Sequence, residues 1–216
     1  MKTTIIGSIR LGLVGALVAG DLDFASTGSI SGIALMASGS KTFYVVGTQD
    51  SYATVEGIVA RKDIKTVADL KGKKIAVTFA SSTHVLVDDT AFSLFKQYGL
   101  GPGPDVLVVR KEFAEKYPNT TRAFLEAYFE SVQLLKDQPE ECAQVLTELT
   151  QLSLEEQIKV LKDITWYGLE EQQQLMVKPG SFVEGLQRLA DFLARHQQID
   201  EAPDVGQWVR TDLLPR

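Results

Sequence analysis

Residues 21–37 read DLDFASTGSISGIALMA, and this stretch sets the fold class. Asp21 to Ser26 predicts a short strand, Thr27-Gly28-Ser29 a turn, and Ile30 to Ala37 a helix stopped by Gly39. The same strand-then-helix grammar runs on from there. Phe43 to Gly47 (FYVVG) is β-branched and aromatic and predicts a second strand. Gly57 to Ala60 (GIVA) and Lys73 to Thr78 (KKIAVT) predict a third and a fourth. Val67 to Gly72 is one helical turn with Gly72 as its cap. Ser81-Ser82-Thr83 opens a helix that runs to Tyr98 and closes at Gly99. Strands alternating with helices predict an α/β sheet with parallel segments.

The sharpest break follows, at Leu100-Gly101-Pro102-Gly103-Pro104, and Asp105 to Val109 (DVLVV) is a strand after it. Beyond that point the pattern is helical throughout. Phe124, Tyr128, Val132 and Leu135 recur at helical spacing, which predicts a buried face. Cys142, Val145, Leu146 and Leu149 predict the next one. Ser153-Leu154-Glu155-Glu156 and Ser181-Phe182-Val183-Glu184 are capping-box patterns, the second ahead of Leu186, Leu189, Phe192 and Leu193. The pentads at 59–63 (VARKD) and 108–112 (VVRKE) are nearly alike, and as a pair of strand ends they suggest two crossings between lobes. Toward the N-terminus, Leu11 to Gly20 is an apolar run behind Lys2 and Arg10. It reads as a helix closed by Gly20, or as a short signal peptide, although Arg10 sits close to the apolar stretch for the latter. No stretch is long enough to span a membrane.

The chain has 216 residues, 44% of them hydrophobic, which is enough for a buried core. Its net charge of −6 argues against a nucleic-acid partner, which would require a basic face. One cysteine, Cys142, and two histidines, His84 and His196, leave no material for a disulfide or a Cys/His metal cluster, and no cofactor is expected.

Four segments, in order, resemble the taurine, alkanesulfonate and nitrate solute-binding proteins of ABC importers. They are Leu17 to Phe24 with Gly28-Ser29; Ile64 to Val77 with Phe79 to His84; Asp105 to Pro118; and Thr165 to Leu169 with Gln172 to Gln174. The taurine branch fits best, because the Ser-Thr-His loop occurs together with acidic residues at Glu56 and Asp105. The resemblance implies a type II periplasmic-binding fold, with two α/β lobes and the ligand in the cleft between them. It implies a permease and an ATPase as partners, and a periplasmic or extracellular, membrane-associated location. Family members carry an extra strand and helix at the start, and several tens of residues between the positions of Gly99 and Asp105. Lobe one would then comprise residues 1–72 plus 105–216, and residues 73–104 would be a reduced lobe two.

A sulfonate is a tetrahedral anion that suits helix N-termini, where free N–H groups and the helix dipole point outward. Thr27-Gly28-Ser29 and Ser81-Ser82-Thr83 offer two such ends, although Ser and Thr are also ordinary caps. Following the resemblance, Gly28, Ser29, Ser81, Ser82, Thr83 and His84 would hold the anion. Glu56 and Asp105 would receive the ammonium of taurine, and Phe79, with Tyr52, would cover its methylenes. Nitrate has no use for carboxylates there, which favours an aminosulfonate. Two rival readings stand. One is an enzyme on the same fold, such as a desulfinase or a thiamine-pyrimidine synthase, which would want a reactive thiol; Cys142 falls instead on an apolar helical stripe. The other is a truncated remnant that binds nothing.

Overall fold

The computed structural model describes residues 10–52, 60–74, 105–177 and 182–215. Its strands are β1 (Phe24–Gly28), β2 (Phe43–Thr48), β3 (Asp50–Tyr52), β4 (Asp105–Arg110) and β5 (Ile164–Trp166). Its helices are α1 (Arg10–Ala19), α2 (Ser29–Ala37), α3 (Lys111–Lys116), α4 (Pro118–Asp137), α5 (Pro139–Thr150), α6 (Leu154–Asp163), α7 (Leu169–Val177) and α8 (Phe182–Arg195). Short 3₁₀ turns occur at Val67–Leu70, Val205–Gln207 and Thr211–Leu213.

The apolar run of β4 is buried at Asp105 to Val109, and β2 is buried at all of its positions, so helices cover both faces of the sheet. β4 lies in the middle, in the order β1-β4-β2, and is antiparallel to both neighbours. This corrects the expectation of parallel pairing. β1 and β2 do run the same way, but the return strand β4 is inserted between them. The one parallel contact among the described residues is the bridge Val45–Val209. β5 was not expected from the sequence; it pairs antiparallel with β3, Asp50 facing Trp166.

Residues 11–19 are helical, and Gly20 at φ +86° ends α1, as the helix reading expects. Leu17 is buried beneath this helix in the core. β1 ends at Gly28 and α2 starts at once, without the separate turn expected at 27–29. Gly39 at φ +80° closes α2.

The apolar stripes are shifted from those expected on two helices. α4 buries Thr121, Leu125, Phe129 and Val132, while Phe124 and Tyr128 are only partly covered. On α5 the buried residue is Ala143, whereas Val145 is 70% and Leu149 78% exposed. Cys142 is half-buried, its thiol donating toward the Leu134 carbonyl at 3.7 Å. α8 buries Leu186, Leu189, Phe192 and Leu193 as its spacing predicts. The Ser153 capping box is present, with Glu156 N–H on Ser153 and Glu156 reaching back to Ser153 N–H. Ser181 lies outside the described residues. The pentads do not match structurally: 108–112 ends β4 and opens α3, whereas Lys62 and Asp63 form a turn with no strand at Ala60 or Arg61.

The tail latches the free edge of β2. Val45 N–H donates to Trp208 O at 2.8 Å, Arg210 N–H to Val45 O at 3.0 Å, and the Trp208 indole to Ser40 O at 2.8 Å. The Arg210 guanidinium lies over the Tyr44 ring, 4.8 Å from its centroid.

Candidate ligand site at the carboxyl edge of the sheet

β1 and β2 end at the same edge of the sheet, and β4 begins there. Gly28 is paired with Asp105 and Thr48 with Val106. In open α/β sheets the carboxyl edge of the strands is where ligands settle. Three of the residues singled out from the sequence, Gly28, its neighbour Ser29 and Asp105, therefore come together. Tyr52 ends β3, paired with Ile164 of β5 in the second sheet. Glu56, Phe79, Ser81, Ser82, Thr83 and His84 lie outside the described residues.

The anion-binding half of the edge is the N-terminus of α2. Its N-cap is Gly28 (φ −60°, ψ 143°), which has no side chain to satisfy the first-turn N–H groups. No acidic residue lies in the first turn. A glycine at this place lets an outside oxygen approach the backbone closely. Ser29 is buried, and Thr27, at the end of β1, is 2% exposed. The Thr27 hydroxyl is buried without a hydrogen-bond partner among the described residues, as is that of Ser26. Gly32 brings α2 close to β4: a Cβ there would sit 3.3 Å from Val106 Cγ2.

The other half is anionic in its own right. Asp50 and Asp105 are both buried, and Asp105 N–H donates to Asp50 Oδ1 at 3.3 Å. Asp50 Oδ2 accepts from Gln49 Nε2 at 3.0 Å, and Gln49 Oε1 accepts from the Tyr128 hydroxyl. Thr48 Oγ1 donates to Asp105 O at 2.9 Å. Gln172, fully buried on α7, holds Thr48 in turn: its Oε1 accepts Thr48 N–H at 2.9 Å and its Nε2 donates to Thr48 O and to Tyr167 O. Burial, reinforced by the negative charge of Asp50 and Asp105, drives the Tyr128 phenol pKa upward, so it stays a neutral donor.

Thr27 belongs to the Thr27-Gly28-Ser29 end offered by the sequence, whereas Thr48, Gln49, Asp50 and Tyr128 were not singled out from it for this site. A signal existed in Thr48-Gln49-Asp50, three polar residues directly after the FYVVG run at 43–47. Gln172 falls in a segment that the resemblance includes. Among the described residues no group of three or more His, Cys, Asp or Glu is placed to hold a metal ion. No helix among them is long and apolar enough to cross a membrane.

No model of a known protein family matches the chain. Among its relatives, the taurine-binding periplasmic protein of Escherichia coli (strain K12) is 26% identical over 175 residues, 56% of this chain and 53% of its own. A putative aliphatic sulfonates-binding protein of the same organism is 42% identical over 74 residues, 33% of this chain and 23% of its own. The chain thus spans about half of the first relative and about a quarter of the second. The 175 aligned positions draw on 56% of 216 residues, about 121, so roughly fifty of them face a gap in this chain. Among solved structures, the alkanesulfonate-binding protein SsuA from Xanthomonas axonopodis pv. citri, bound to MOPS, superposes with a TM-score of 0.64 at 16% identity, covering 92% of this chain and 83% of that one. At that identity the likeness establishes the fold, which is the type II periplasmic-binding arrangement.

Proposed function

We propose that this chain, a homologue of the taurine-binding and aliphatic sulfonate-binding periplasmic proteins with their fold, is a solute-binding component of an importer that takes taurine or a closely related aminosulfonate. The observation that carries this reading is the pairing of opposite demands at one sheet edge. The uncapped N-terminus of α2, with Gly28, Ser29 and the Thr27 hydroxyl that has no partner among the described residues, suits a sulfonate. Asp105, one strand away and paired with Gly28, suits an ammonium. In taurine a two-carbon spacer separates the two groups.

Glu56, Phe79 and Ser81 to His84 complete the site in this reading, on the strength of the family resemblance alone. The same holds for the division into residues 1–72 plus 105–216 and a reduced lobe of 73–104. A permease and its ATPase would be the partners, and a periplasmic or extracellular location goes with them. The reading is of a binder, not an enzyme. The relatives are binding proteins, and the lone thiol of Cys142 sits on α5 against the Leu134 carbonyl.

The test is thermal unfolding with taurine and, as a control, nitrate. Ligand at about 100 times Kd adds about 2.7 kcal/mol to the native state. For a chain of this size that raises the midpoint by roughly 5–10 °C. We expect that rise with taurine and none with nitrate. A cooperative transition that neither ligand moves rejects the binding role and favours a remnant that binds nothing.

A further inference from the structure

Tyr128, Gln49 and Asp50 form a chain of hydrogen bonds that ends on the Asp105 backbone. Tyr128 comes from α4 and Gln49 from the link between β2 and β3, 79 positions apart. An amide side chain has two ends of similar shape and opposite character: the oxygen accepts and the nitrogen donates. The Asp50 carboxylate can only accept, so it takes the Nε2 end of Gln49. The Tyr128 hydroxyl holds the other end in place. It donates to Gln49 Oε1, which leaves Nε2 to donate to Asp50 Oδ2 at 3.0 Å. Asp50 Oδ1 then receives the main-chain N–H of Asp105 at 3.3 Å. The raised pKa of Tyr128 keeps the first donor in this relay protonated.

We propose that Tyr128 is a positioning residue, acting through Gln49 and Asp50 on Asp105, that makes the site select ligands carrying a cationic group over plain anions. This rests on the aminosulfonate reading given above. The relay ends on the backbone of the carboxylate residue assigned to the ammonium. The anion end at α2 is held by other groups, namely the Gly28 and Ser29 backbone and the Thr27 hydroxyl. Disturbing the relay therefore affects one end of a zwitterion and spares the other. Tyr128→Phe removes a single oxygen and keeps the ring against Phe124 and Phe129, where the centroids are 5.9 and 5.6 Å away.

The experiment is calorimetric titration of the full chain with taurine and with ethanesulfonate, which retains the sulfonate and lacks the amine. It compares the parent with Tyr128→Phe and Gln49→Leu. Tyr128→Phe breaks a neutral hydrogen bond and Gln49→Leu one to a carboxylate, so taurine affinity should fall several-fold in the first and about tenfold in the second, and ethanesulfonate affinity should stay within about twofold. A merely structural role would weaken both ligands together. Equal weakening, or an unchanged taurine-to-ethanesulfonate ratio, overturns the proposal and leaves the sulfonate site standing. A parent that binds ethanesulfonate as well as taurine also overturns it. A parent that binds neither overturns the sulfonate reading itself, and this proposal with it.

Discussion

Thr27 buries its hydroxyl at the end of β1 with no partner among the described residues, and such a group costs the native state free energy. A ligand oxygen would relieve that cost. Thr27→Val keeps the shape and removes the polar atom, so the unliganded chain should unfold at the same temperature or higher. Taurine affinity should meanwhile drop several-fold. Titration together with thermal unfolding checks both halves, and an unchanged affinity would remove Thr27 from the site. Gly28 and Ser29 could be picked out from a local pattern, a strand end running into a helix start, whereas Asp105 was picked out through the family resemblance. The Tyr128–Gln49–Asp50 relay was legible in neither way. Its members lie on elements far apart in the chain, and nothing local marks a tyrosine on an aromatic helix face as a donor to a distant amide. Gly47 is another such case. A Cβ there would meet Phe129 Cζ at 2.8 Å, a contact that only the packing of α4 on β2 reveals.

At the scale of elements, the α5–α6 hairpin separates capping from burial. Ser153 accepts Glu156 N–H, and the Glu156 carboxylate accepts Ser153 N–H at 2.9 Å. Hydrogen bonding to the Ser153 side chain first, then to its backbone, lowers the Glu156 pKa. Ser153→Ala should cost about 1 kcal/mol, or about 2–4 °C in the midpoint for a chain of this length. Val145→Ser and Leu149→Ser should leave stability within about 0.5 kcal/mol, because both side chains are largely in water. Denaturant melts of the three variants test the contrast. The sequence misled here for a physical reason. On α5 the residues 142, 145, 146 and 149 and the residues 143, 146, 147 and 150 both form stripes at helical spacing. The small Ala143 takes the inside, where α5 packs on α4 and α6. The Ser153 box was legible because its signal is complete within four residues. β5 was not, since three residues, ITW, are too few to show a period and their partner β3 lies over a hundred positions earlier.

For the whole molecule, the tail ties the last described residues to β2. Arg210 donates to Asp212 Oδ1 at 2.7 Å and Oδ2 at 2.8 Å while lying over Tyr44. That hydrogen bonding to Arg210 depresses the Asp212 pKa below the usual aspartate range, against the opposing effect of partial burial. A carboxyl depressed in the folded state contributes stability that is fully present above its unfolded pKa of about 4, and that is lost as pH falls through the folded value. Asp212→Asn should therefore lower the thermal midpoint at neutral pH, with the gap between variant and parent closing as pH drops below about 4. The Asp212 side chain is 59% exposed, so the effect should be small and should weaken in salt. A midpoint gap that does not vary with pH would exclude this pair as its source.

The chain leaves the three-stranded sheet after Thr48, turns into β3 at Asp50 and re-enters at Asp105, and Asp50 and Asp105 are joined by a 3.3 Å hydrogen bond. Exit and entry are therefore side by side, like the two jaws of a clasp. Whatever lies between them is topologically an appendage, because its length does not alter how β1, β4 and β2 align. The entropy of closing such a loop rises only with the logarithm of its length, by about 0.6 kcal/mol for each doubling. Descendants of one ancestor can therefore differ there by dozens of residues and still assemble the same three-stranded sheet. The seam that brings the candidate ligand groups together is also the place where the chain can be lengthened or shortened at least cost.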